Sequence, residues 1–368
     1  MSSEKKIDFI EEEGVKIYSY GDKISKELTV FYNPVMKLNR DISLLVIATY
    51  FKDKQIKFCD PMSASGIREI RFLKTIPEKF EKIVIGDISE DATENIKKNF
   101  ENNNVSLNQV NLICANAINT ISSEYFDFIE IDPFGSPVPF LDMAAQRIKH
   151  NGILSVTATD TAALCGTYPK TTLRKYNIKV EKTLWHEELG LRNLIAYTQR
   201  QVAKYDKIAI PLISYSNNHY FKIFFRVEDS KTKAVLMLKE LSFIEWDKKT
   251  QESKISKYEH EHSLGKTYVG PICDKQFLKE IKTNLNLIQE NVEVKKLIDN
   301  LEEEIDIVGY YNPHKFMKEY KFTCDIKFET IIEELKKQNY LVSRAANNFI
   351  GIKTNCPHEK FIEIMKKS

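Results

Sequence analysis

The sequence predicts an α/β fold: a mostly parallel sheet in one domain, followed by a smaller α+β domain. Short apolar, β-branched runs alternate with helical patterns from about residue 56 to residue 160. This alternation is typical of right-handed βαβ units on a parallel sheet. Two strand-like runs, Lys207–Ser214 and His219–Val227, then follow one another across the turn-forming residues 215–218. They predict an antiparallel hairpin that completes the sheet.

Length and composition are those of an ordinary two-domain globular chain. The 368 residues exceed the usual size of a single hydrophobic core. The 54 basic and 52 acidic side chains nearly cancel, so a nucleic acid would have to be recognised through local basic patches. No run approaches the length of a membrane span, and the first residues lack a signal-peptide core. We therefore expect no membrane association and a cytoplasmic location.

The cysteines and histidines do not form a metal-binding pattern. The six cysteines stand far apart, at positions 59, 114, 165, 273, 324 and 356, without a Cys-x-x-Cys pair. This spacing does not support a zinc ribbon, and scattered thiols are typical of a reducing cytosol. His260 and His262 lie close in sequence but have no third ligand in register. We expect no metal site.

Two elements precede the alternating region. Residues 7–20 contain an alternating apolar pattern that predicts a hairpin or an edge strand. A helix is predicted over Leu38–Phe51, after the break at Pro34. The aromatic pair Phe31 and Tyr32, with Arg40 close behind, could line a ligand pocket or could simply pack as a loop on the core.

The next segment has the form strand, small-residue turn, helix. Ile56–Asp60 predicts the strand, residues 61–66 the turn and Ile67–Lys74 the helix. Such a turn lets backbone N–H groups approach a ligand. The turn lacks the Gly-x-Gly-x-x-Gly pattern of ordinary dinucleotide sites, but its small residues would admit a smaller adenosine ligand without phosphates.

The following two strands end in residues suited to an adenosine. Lys82–Asp87 places a carboxylate about 20 residues after the glycine turn, where it can accept both ribose hydroxyls. The alternative is that Asp87 caps the helix predicted from Ser89 to Phe100. Val110–Ala115 predicts a third strand, whose last residues, Cys114 and Ala115, could face an adenine.

The fourth strand, Phe126–Ile131, stops abruptly at Asp132-Pro133-Phe134-Gly135. Ligands bind at the carboxyl ends of strands in open parallel sheets. A carboxylate, a proline carbonyl and a flat aromatic ring side by side suit a planar ring that carries an amine. The alternative is a strand-ending turn with a capping aspartate. A helix over Phe140–Lys149 and a strand over Gly152–Thr159 are predicted next.

A small, polar segment that ends in basic residues, Thr157–Tyr176, leaves the same edge of the sheet. Lys170, Arg174, Lys175 and Tyr176 fit a patch that contacts phosphates and bases. The alternative is a solvated loop leading into a helix that begins near residue 181.

The composition changes to Lys/Glu-rich segments near residue 230, which predicts domains over 1–229 and 230–368. In the second domain we predict three helices and then two short strands, a pattern that resembles winged-helix modules. The predicted elements are helices over Gln276–Gln289, Val292–Glu304 and Phe328–Gln338, and strands within Asn339–Thr354. Cations interleaved with aromatics between residues 310 and 321 are typical of nucleic-acid surfaces.

A parallel sheet completed by an antiparallel hairpin resembles the Rossmann-like domain of class I methyltransferases, which bind S-adenosylmethionine. Six motifs, in order, further resemble one family, the tRNA (guanine-26-N2)-dimethyltransferases, from near residue 10 to Pro357. These motifs are Phe31–Pro34, Asn39–Asp41, Ser65–Arg68, Gly86–Ser89, Asp132–Pro137 and Thr157–Asp160.

The resemblance implies dimethylation of the exocyclic N2 of guanosine 26 in tRNA, with S-adenosylmethionine as methyl donor and no obligate protein partner. It also implies that Asp132 holds the guanine amine together with the Pro133 carbonyl, while Phe31 and Phe134 sandwich the base. The implied cofactor residues are Arg40, Arg68, Asp87, Cys114 and Ala115.

Two features depart from the family pattern. Many relatives have Asp-Ala where this chain has Cys114-Ala115, and the C-terminal zinc cysteines of some relatives are missing here. The alternatives are an amino-methyltransferase acting on another nucleic acid and a tRNA-binding protein without catalysis.

Overall fold

The computed structural model describes residues 7–20, 32–321 and 327–367. Phe31, a predicted base contact, lies outside them. The N-terminal strands β1 and β2 pair as an antiparallel hairpin, and strands and helices then alternate as the sequence predicts. The first part of the chain contains β1 (Ile7–Glu12), β2 (Val15–Tyr20), α1 (Lys37–Tyr50), β3 (Ile56–Asp60), α2 (Ile67–Thr75), β4 (Phe80–Asp87), α3 (Glu90–Asn102), β5 (Val110–Cys114), α4 (Ala117–Ser122), β6 (Phe126–Ile131), α5 (Val138–Arg147), β7 (Ile148–Ala158), α6 (Thr161–Leu164), α7 (Pro169–Tyr176), α8 (His186–Ala203), β8 (Lys207–Asn217) and β9 (Tyr220–Asp229).

A seven-stranded sheet has the order β5-β4-β3-β6-β7-β9-β8. The pairs β3–β4, β4–β5, β3–β6 and β6–β7 are parallel. Strands β8 and β9 are neighbours joined by two residues, Asn218 and His219, and so form the predicted hairpin. The strand order reverses direction between β3 and β6, and in open α/β sheets such a switch point opens a crevice for ligands. The α/β prediction is confirmed.

Several element boundaries differ from the sequence prediction. Strand β7 begins at Ile148 rather than Gly152, directly after α5, and β8 runs on to Asn217 through much of the predicted turn. The loop Thr157–Tyr176 contains two helices, and Pro169 stands in the first turn of the second, where a missing N–H costs nothing. The helix expected near residue 181 begins at His186.

The remaining elements include a small sheet that sequence reasoning missed. Strands β10, β11 and β12 form it, in the order β11-β10-β12, and β13 and β14 form the two-stranded wing. The predicted helix Gln276–Gln289 ends early, at Lys282, and a single 3₁₀ turn follows at 285–287. The elements are α9 (Lys231–Glu240), β10 (Ser242–Trp246), β11 (Ser253–Ser256), β12 (Leu264–Thr267), α10 (Lys275–Lys282), α11 (Val292–Glu303), α12 (Pro313–Glu319), α13 (Phe328–Lys337), β13 (Val342–Ala345), β14 (Asn348–Thr354) and α14 (His358–Lys367).

By contacts, the chain divides into two compact units that do not follow sequence order. One unit contains residues 1–157, 225–229 and 279–296, and the other contains residues 158–224, 230–278 and 297–368. The domain boundary near residue 230 stays a prediction. Each unit has its own apolar core. Strand β6 is buried at every position in the first unit, and Phe316, Leu335 and Phe361 are buried in the second.

Candidate active site

Four neighbouring strands deliver polar or small residues to one edge of the sheet. Asp60 ends β3, Asp87 ends β4, Cys114 ends β5 and Asp132 follows β6. Because these strands are parallel and adjacent, their carboxyl ends meet at the same edge. The tertiary structure therefore brings Asp87, Cys114 and Asp132, which the sequence singled out, to one edge together with Asp60, which it did not.

The turn after β3 is held by bonds within the chain. Met62 N–H donates to Asp60 Oδ1 (3.0 Å), Ser63 N–H to the Gly86 carbonyl (2.9 Å) and Ala64 N–H to Asp87 Oδ2 (3.3 Å). These N–H groups are therefore occupied, contrary to the expectation that the turn would offer them to a ligand. Gly66 adopts a φ of +72°, and an added Cβ would lie 3.2 Å from Ile96. Glycine here lets the turn pack against α3.

Asp87 keeps acceptor capacity at the sheet edge. Its Oδ1 accepts the N–H of Ser89 at 3.0 Å, while the side chain of Ser89 itself caps α3. Each carboxylate oxygen can accept more than one hydrogen bond, so the carboxylate can still bind hydroxyl groups. The next residue, Ile88, is 76% exposed. An exposed apolar side chain beside a carboxylate suits the flat ring of an adenosine.

The residues predicted to face an adenine lie beside Asp87. Cys114 is exposed, with its Sγ 3.9 Å from the Ile88 carbonyl oxygen. The N–H of Ala115 donates to the Asp87 carbonyl at 3.0 Å. Recognition through the backbone N–H of Ala115 would therefore have to compete with a bond inside the chain.

Asp132 lies at the switch point, with one carboxylate oxygen bonded. Arg68 Nη2 donates to Asp132 Oδ2 at 2.6 Å, and Asn39 Nδ2 donates to the same oxygen at 3.4 Å. Pro133 is buried and Phe134 is 53% exposed. A half-exposed phenyl ring beside a carboxylate is the combination that the sequence predicted for a planar, amine-bearing base.

Arg68 is the centre of a buried charge cluster. The residue is 7% exposed, and Nη1 lies 3.3 Å from Glu130 Oε2 while Nε lies 3.3 Å from Asp60 Oδ2. Burial raises the pKa of Asp60 to about 6, with Arg68 opposing the rise and Glu130 adding to it. Burial, together with the neighbouring Asp60, raises the pKa of Glu69 well above its usual range.

Arg40 lies in a second buried cluster, with the N-terminal hairpin. Its Nε donates to Glu12 at 2.8 Å, and Nη2 donates to Glu12 and to the Asn33 carbonyl. Tyr32 Oη donates to Glu12 at 2.9 Å. Burial by itself raises the pKa of Glu12, but Arg40 and Arg71 outweigh it and lower the value to about 2. This cluster ties the segment after Phe31 to the hairpin.

In the other unit, the predicted phosphate contacts Lys170 and Arg174 are exposed on α7. Their neighbours play a different part from the predicted one. Tyr176 is fully buried and its hydroxyl donates to Asp160 at 2.7 Å, and Lys175 pairs with the same carboxylate at 3.2 Å. Tyr176 is therefore a packing residue and cannot stack on a base.

Sequence reasoning missed the side chains that surround Arg68. Asn39, Ser43, Asp60 and Glu130 received no role, although Asn39 lies inside one of the motifs. The signal was present for Glu130, because a carboxylate in a wholly buried strand requires a partner. The partner itself cannot be read from the sequence.

No group of three histidine, cysteine, aspartate or glutamate side chains within the described ranges is arranged to hold a metal ion. His260, one of the two histidines considered above, lies 3.2 Å from Glu245. None of the helices in the described ranges is long and apolar enough to cross a membrane.

Residues 6–366 match the family model described as N2,N2-dimethylguanosine tRNA methyltransferase. The chain belongs to this family. Among its relatives, the tRNA (guanine(26)-N(2))-dimethyltransferase of Pyrococcus furiosus is 36% identical, with 92% of this chain and 93% of the relative covered. The enzyme of the same name from Methanosphaera stadtmanae is 35% identical, with 94% and 92% covered.

A solved structure agrees with the family assignment. Trm1 from Pyrococcus horikoshii, solved with S-adenosyl-L-methionine, matches with a TM-score of 0.88 at 31% identity, covering 97% of this chain and 99% of that one. As a member of the dimethylguanosine methyltransferase family, the chain has the class I methyltransferase fold that the hairpin-completed sheet predicted.

Proposed function

We propose that this chain dimethylates the exocyclic N2 of guanosine 26 in tRNA, using S-adenosylmethionine as the methyl donor. The observation that carries the proposal is the carboxylate of Asp132 beside the exposed ring of Phe134 at the switch point of the sheet. The description of the family to which the chain belongs names N2,N2-dimethylguanosine in tRNA, and position 26 is in the names of the relatives. The chain is accordingly a methyltransferase.

The residues at the sheet edge fit this cofactor. S-adenosylmethionine carries a sulfonium and an ammonium group, and the edge is rich in carboxylates, with Asp60, Asp87 and Asp132 at three strand ends. Asp87 would hold the ribose hydroxyls, and Cys114 and Ala115 would border the adenine. When bound, the cofactor supplies a methyl group on a positively charged sulfur.

Of the two predicted cofactor arginines, Arg40 would act through an N–H group left over from its buried cluster. The hydrogen bonds of Arg40 within the described ranges involve Nε and Nη2, which leaves Nη1 for the carboxylate of the cofactor. Arg68 uses all three of its nitrogens on protein groups and has little capacity left.

Asp132 would prepare the guanine amine for transfer. The lone pair of N2 is delocalised into the purine ring, so the free amine is a poor nucleophile. Asp132 and the Pro133 carbonyl would accept the amine protons and draw the lone pair out of conjugation. As N2 gains a methyl group it loses a proton, which Asp132 would receive. Positioning of this kind can contribute about 7–11 kcal/mol to catalysis.

The target base must leave its stack before it reaches Asp132, at a cost of a few kcal/mol. Stacking on Phe134, and on Phe31 from the other side, would offset this cost. Phe134 is 53% exposed, which supports this role. Lys170 and Arg174 would contact tRNA phosphates.

The compartment follows from the thiols. The described cysteines, Cys59, Cys114, Cys165, Cys273 and Cys356, are free thiols, which fits the reducing cytoplasm where we propose that the enzyme acts.

The test is labelled methyl transfer to two unmodified tRNA transcripts that differ only at position 26, followed by nucleoside analysis. We expect dimethylguanosine from the transcript with guanosine and no transfer to the transcript with adenosine. Equal transfer to both would move the target to another nucleotide. Cofactor binding without any transfer would overturn the proposal in favour of another nucleic acid or a binding protein.

A further inference from the structure

We propose that Arg68 is a positioning residue that fixes Asp132 by holding one carboxylate oxygen, Oδ2, and leaving Oδ1 for the guanine amine. The inference rests on the proposed function and adds a role for the two oxygens and for the buried groups behind them. It differs from the expectation that Arg68 acts as a cofactor ligand.

The hydrogen bonds of Asp132 are one-sided. Both side-chain donors that reach it, Arg68 Nη2 at 2.6 Å and Asn39 Nδ2 at 3.4 Å, bond to Oδ2. Within the described ranges no hydrogen bond is made to Oδ1. The Asp132 side chain is 14% exposed, whereas that of Arg68 is 8% exposed, so the carboxylate lies at the border between the buried cluster and the sheet edge.

The strand geometry explains why one guanidinium can hold Asp132. Alternate side chains of a strand point to the same face, so Glu130 and Asp132 share a face of β6. Arg68 bonds to both, through Nη1 and Nη2. Its third nitrogen, Nε, faces Asp60 at the end of the adjacent strand β3. A planar fork with fixed donor directions can satisfy three carboxylates at once, which a lysine ammonium cannot do in the same geometry.

Further bonds fix the buried end of the cluster. Glu130 is fully buried, and its Oε1 accepts the hydroxyl of Ser155 at 3.0 Å while Oε2 accepts that of Ser43 at 3.4 Å. The Nη1 of Arg68 also donates to Ser43 Oγ and Asn39 Oδ1, at 3.1 and 3.2 Å. Asn39 and Ser43 are one helical turn apart on α1 and so lie on one face of that helix. The position of Asp132 is therefore determined by three strands, β3, β6 and β7, and two helices, α1 and α2, together.

Such support matters because an error of about 1 Å in the position of a reacting group can cost about 100-fold in rate. If Arg68 positions Asp132, its replacement lowers kcat and leaves the affinity for the cofactor nearly unchanged. If Arg68 is a cofactor ligand instead, its replacement weakens cofactor binding and kcat recovers at saturating S-adenosylmethionine.

The experiment compares full-length wild type with Arg68→Lys, which keeps the charge and loses the fork. Steady-state methyl transfer to the guanosine-26 transcript gives kcat and KM for tRNA, and calorimetry gives Kd for S-adenosylmethionine. We expect kcat to fall at least about 30-fold, while KM for tRNA and Kd for S-adenosylmethionine stay within about 3-fold of wild type. A weakened Kd with kcat restored at saturation would overturn the inference.

A double-variant cycle tests whether Arg68 acts through Asp132. In the Asp132→Asn background, the added Arg68→Lys change should lower kcat by less than about a further 3-fold, because the group that Arg68 positions is already disabled. Losses that multiply would show an independent role and would contradict the inference. A purely structural role would also give multiplied losses.

Two further variants test whether a fall in kcat merely reflects misfolding. Glu130→Gln keeps the shape of the side chain and should reproduce the fall in kcat in weaker form. Asp127→Asn is the matched control, since Asp127 is a buried carboxylate on the same strand whose partners are Lys54 and Lys149. We expect it to keep kcat. If wild type forms no dimethylguanosine, the proposed function fails; if it does and Glu130→Gln matches Asp127→Asn, only this inference fails.

Discussion

At the scale of single residues, the site uses several carboxylates whose surroundings give them different roles. Asp87 lies at a strand end with acceptor capacity left, Asp132 is bonded on one oxygen, and Asp60 is buried against Arg68. The environment therefore separates a residue that can bind hydroxyls from one that can hold an amine, although both are aspartates at ends of parallel strands.

Asp132→Ala should abolish methyl transfer and leave cofactor binding nearly intact. In the proposed mechanism the carboxylate acts on the guanine amine, so its loss would remove stabilisation that arises only as transfer proceeds. We expect a fall in kcat of at least about 100-fold, with Kd for S-adenosylmethionine within about 3-fold. Labelled transfer and calorimetry measure the two quantities. Strong residual turnover would contradict the role given to Asp132.

Asp87→Ala should show the opposite pattern. Hydrogen bonds to a charged acceptor contribute about 1.5–3 kcal/mol, so we expect Kd for S-adenosylmethionine to rise about 10- to 100-fold while the affinity for tRNA stays unchanged. Calorimetry gives the first value and filter binding gives the second. Asp91, an exposed acid on α3, provides the control, and Asp91→Ala should leave both constants unchanged. Equal cofactor affinity in the two variants would rule out the assignment of Asp87.

At the scale of secondary-structure elements, side-chain bonds fix the segments that carry predicted substrate contacts. Asp160 accepts hydrogen bonds from Tyr176 and Lys175 and so ties helix α7 to the residues that follow β7. In the other unit, Glu12 joins the N-terminal hairpin to Arg40 on α1 and Arg71 on α2. In both cases a buried or half-buried carboxylate fixes the orientation of an element, which the sequence pattern of that element does not determine.

Replacing Lys170 and Arg174 together by alanine should weaken tRNA binding without changing the cofactor site. Each lost phosphate contact lowers the slope of log affinity against log salt by about 0.9. We expect KM for tRNA to rise and the salt slope to fall by about 2, with Kd for S-adenosylmethionine unchanged. The double alanine variant of Lys97 and Lys98, exposed on α3, is the matched control. An identical salt slope in both variants would exclude α7 from the RNA surface.

The Glu12 cluster should make stability depend on acid pH. Its pKa is lowered from 4.5 to about 2 in the folded protein, so ionised Glu12 stabilises the fold by about 3 kcal/mol. This contribution is complete above pH 4.5 and is lost as pH falls through about 2. The free energies of unfolding of wild type and Glu12→Gln, measured with urea, should therefore differ most near pH 7. This difference should become smaller below pH 4.5. A difference independent of pH would contradict the pairing.

At the scale of the whole molecule, the compact units combine segments that are distant in sequence. In the unit that contains α8 and the C-terminal hairpin, the ammonium group of Lys353 lies 2.8 Å from Glu188 and 3.6 Å from Glu304. All three side chains are buried. Burial by itself would raise the pKa of Glu188, but Lys353 and Arg192 outweigh it and lower the value. One lysine thus connects three segments from residues 188 to 353.

Lys353→Ala should destabilise this unit strongly. Removing one partner from a buried ion pair leaves an uncompensated charge and costs about 3–5 kcal/mol. We expect a corresponding fall in the free energy of unfolding, measured by urea denaturation. Lys360, whose partner Glu363 is on the exposed surface, provides the contrast. Lys360→Ala should leave the unfolding midpoint unchanged, and equal effects of the two variants would show that Lys353 has no special role.

The sequence by itself determined the fold class, most of the elements of the parallel sheet and the family. Hydrophobic periodicity and turn residues are local properties, and the motifs from Phe31 to Asp160 are contiguous strings that need no three-dimensional information. The sequence also placed Asp87 and Asp132 at strand ends, because an apolar, β-branched run stops before each of them and Pro133 cannot continue a sheet ladder.

Only the tertiary structure decided which side chains meet. The partners of Arg68 come from α1, β3 and β6, and no local pattern encodes which guanidinium nitrogen faces which carboxylate. The same holds for the burial of Tyr176 and for the exposure of Ile88. Contacts between distant segments depend on packing and on the balance between desolvation and charge pairing, and both are properties of the folded chain.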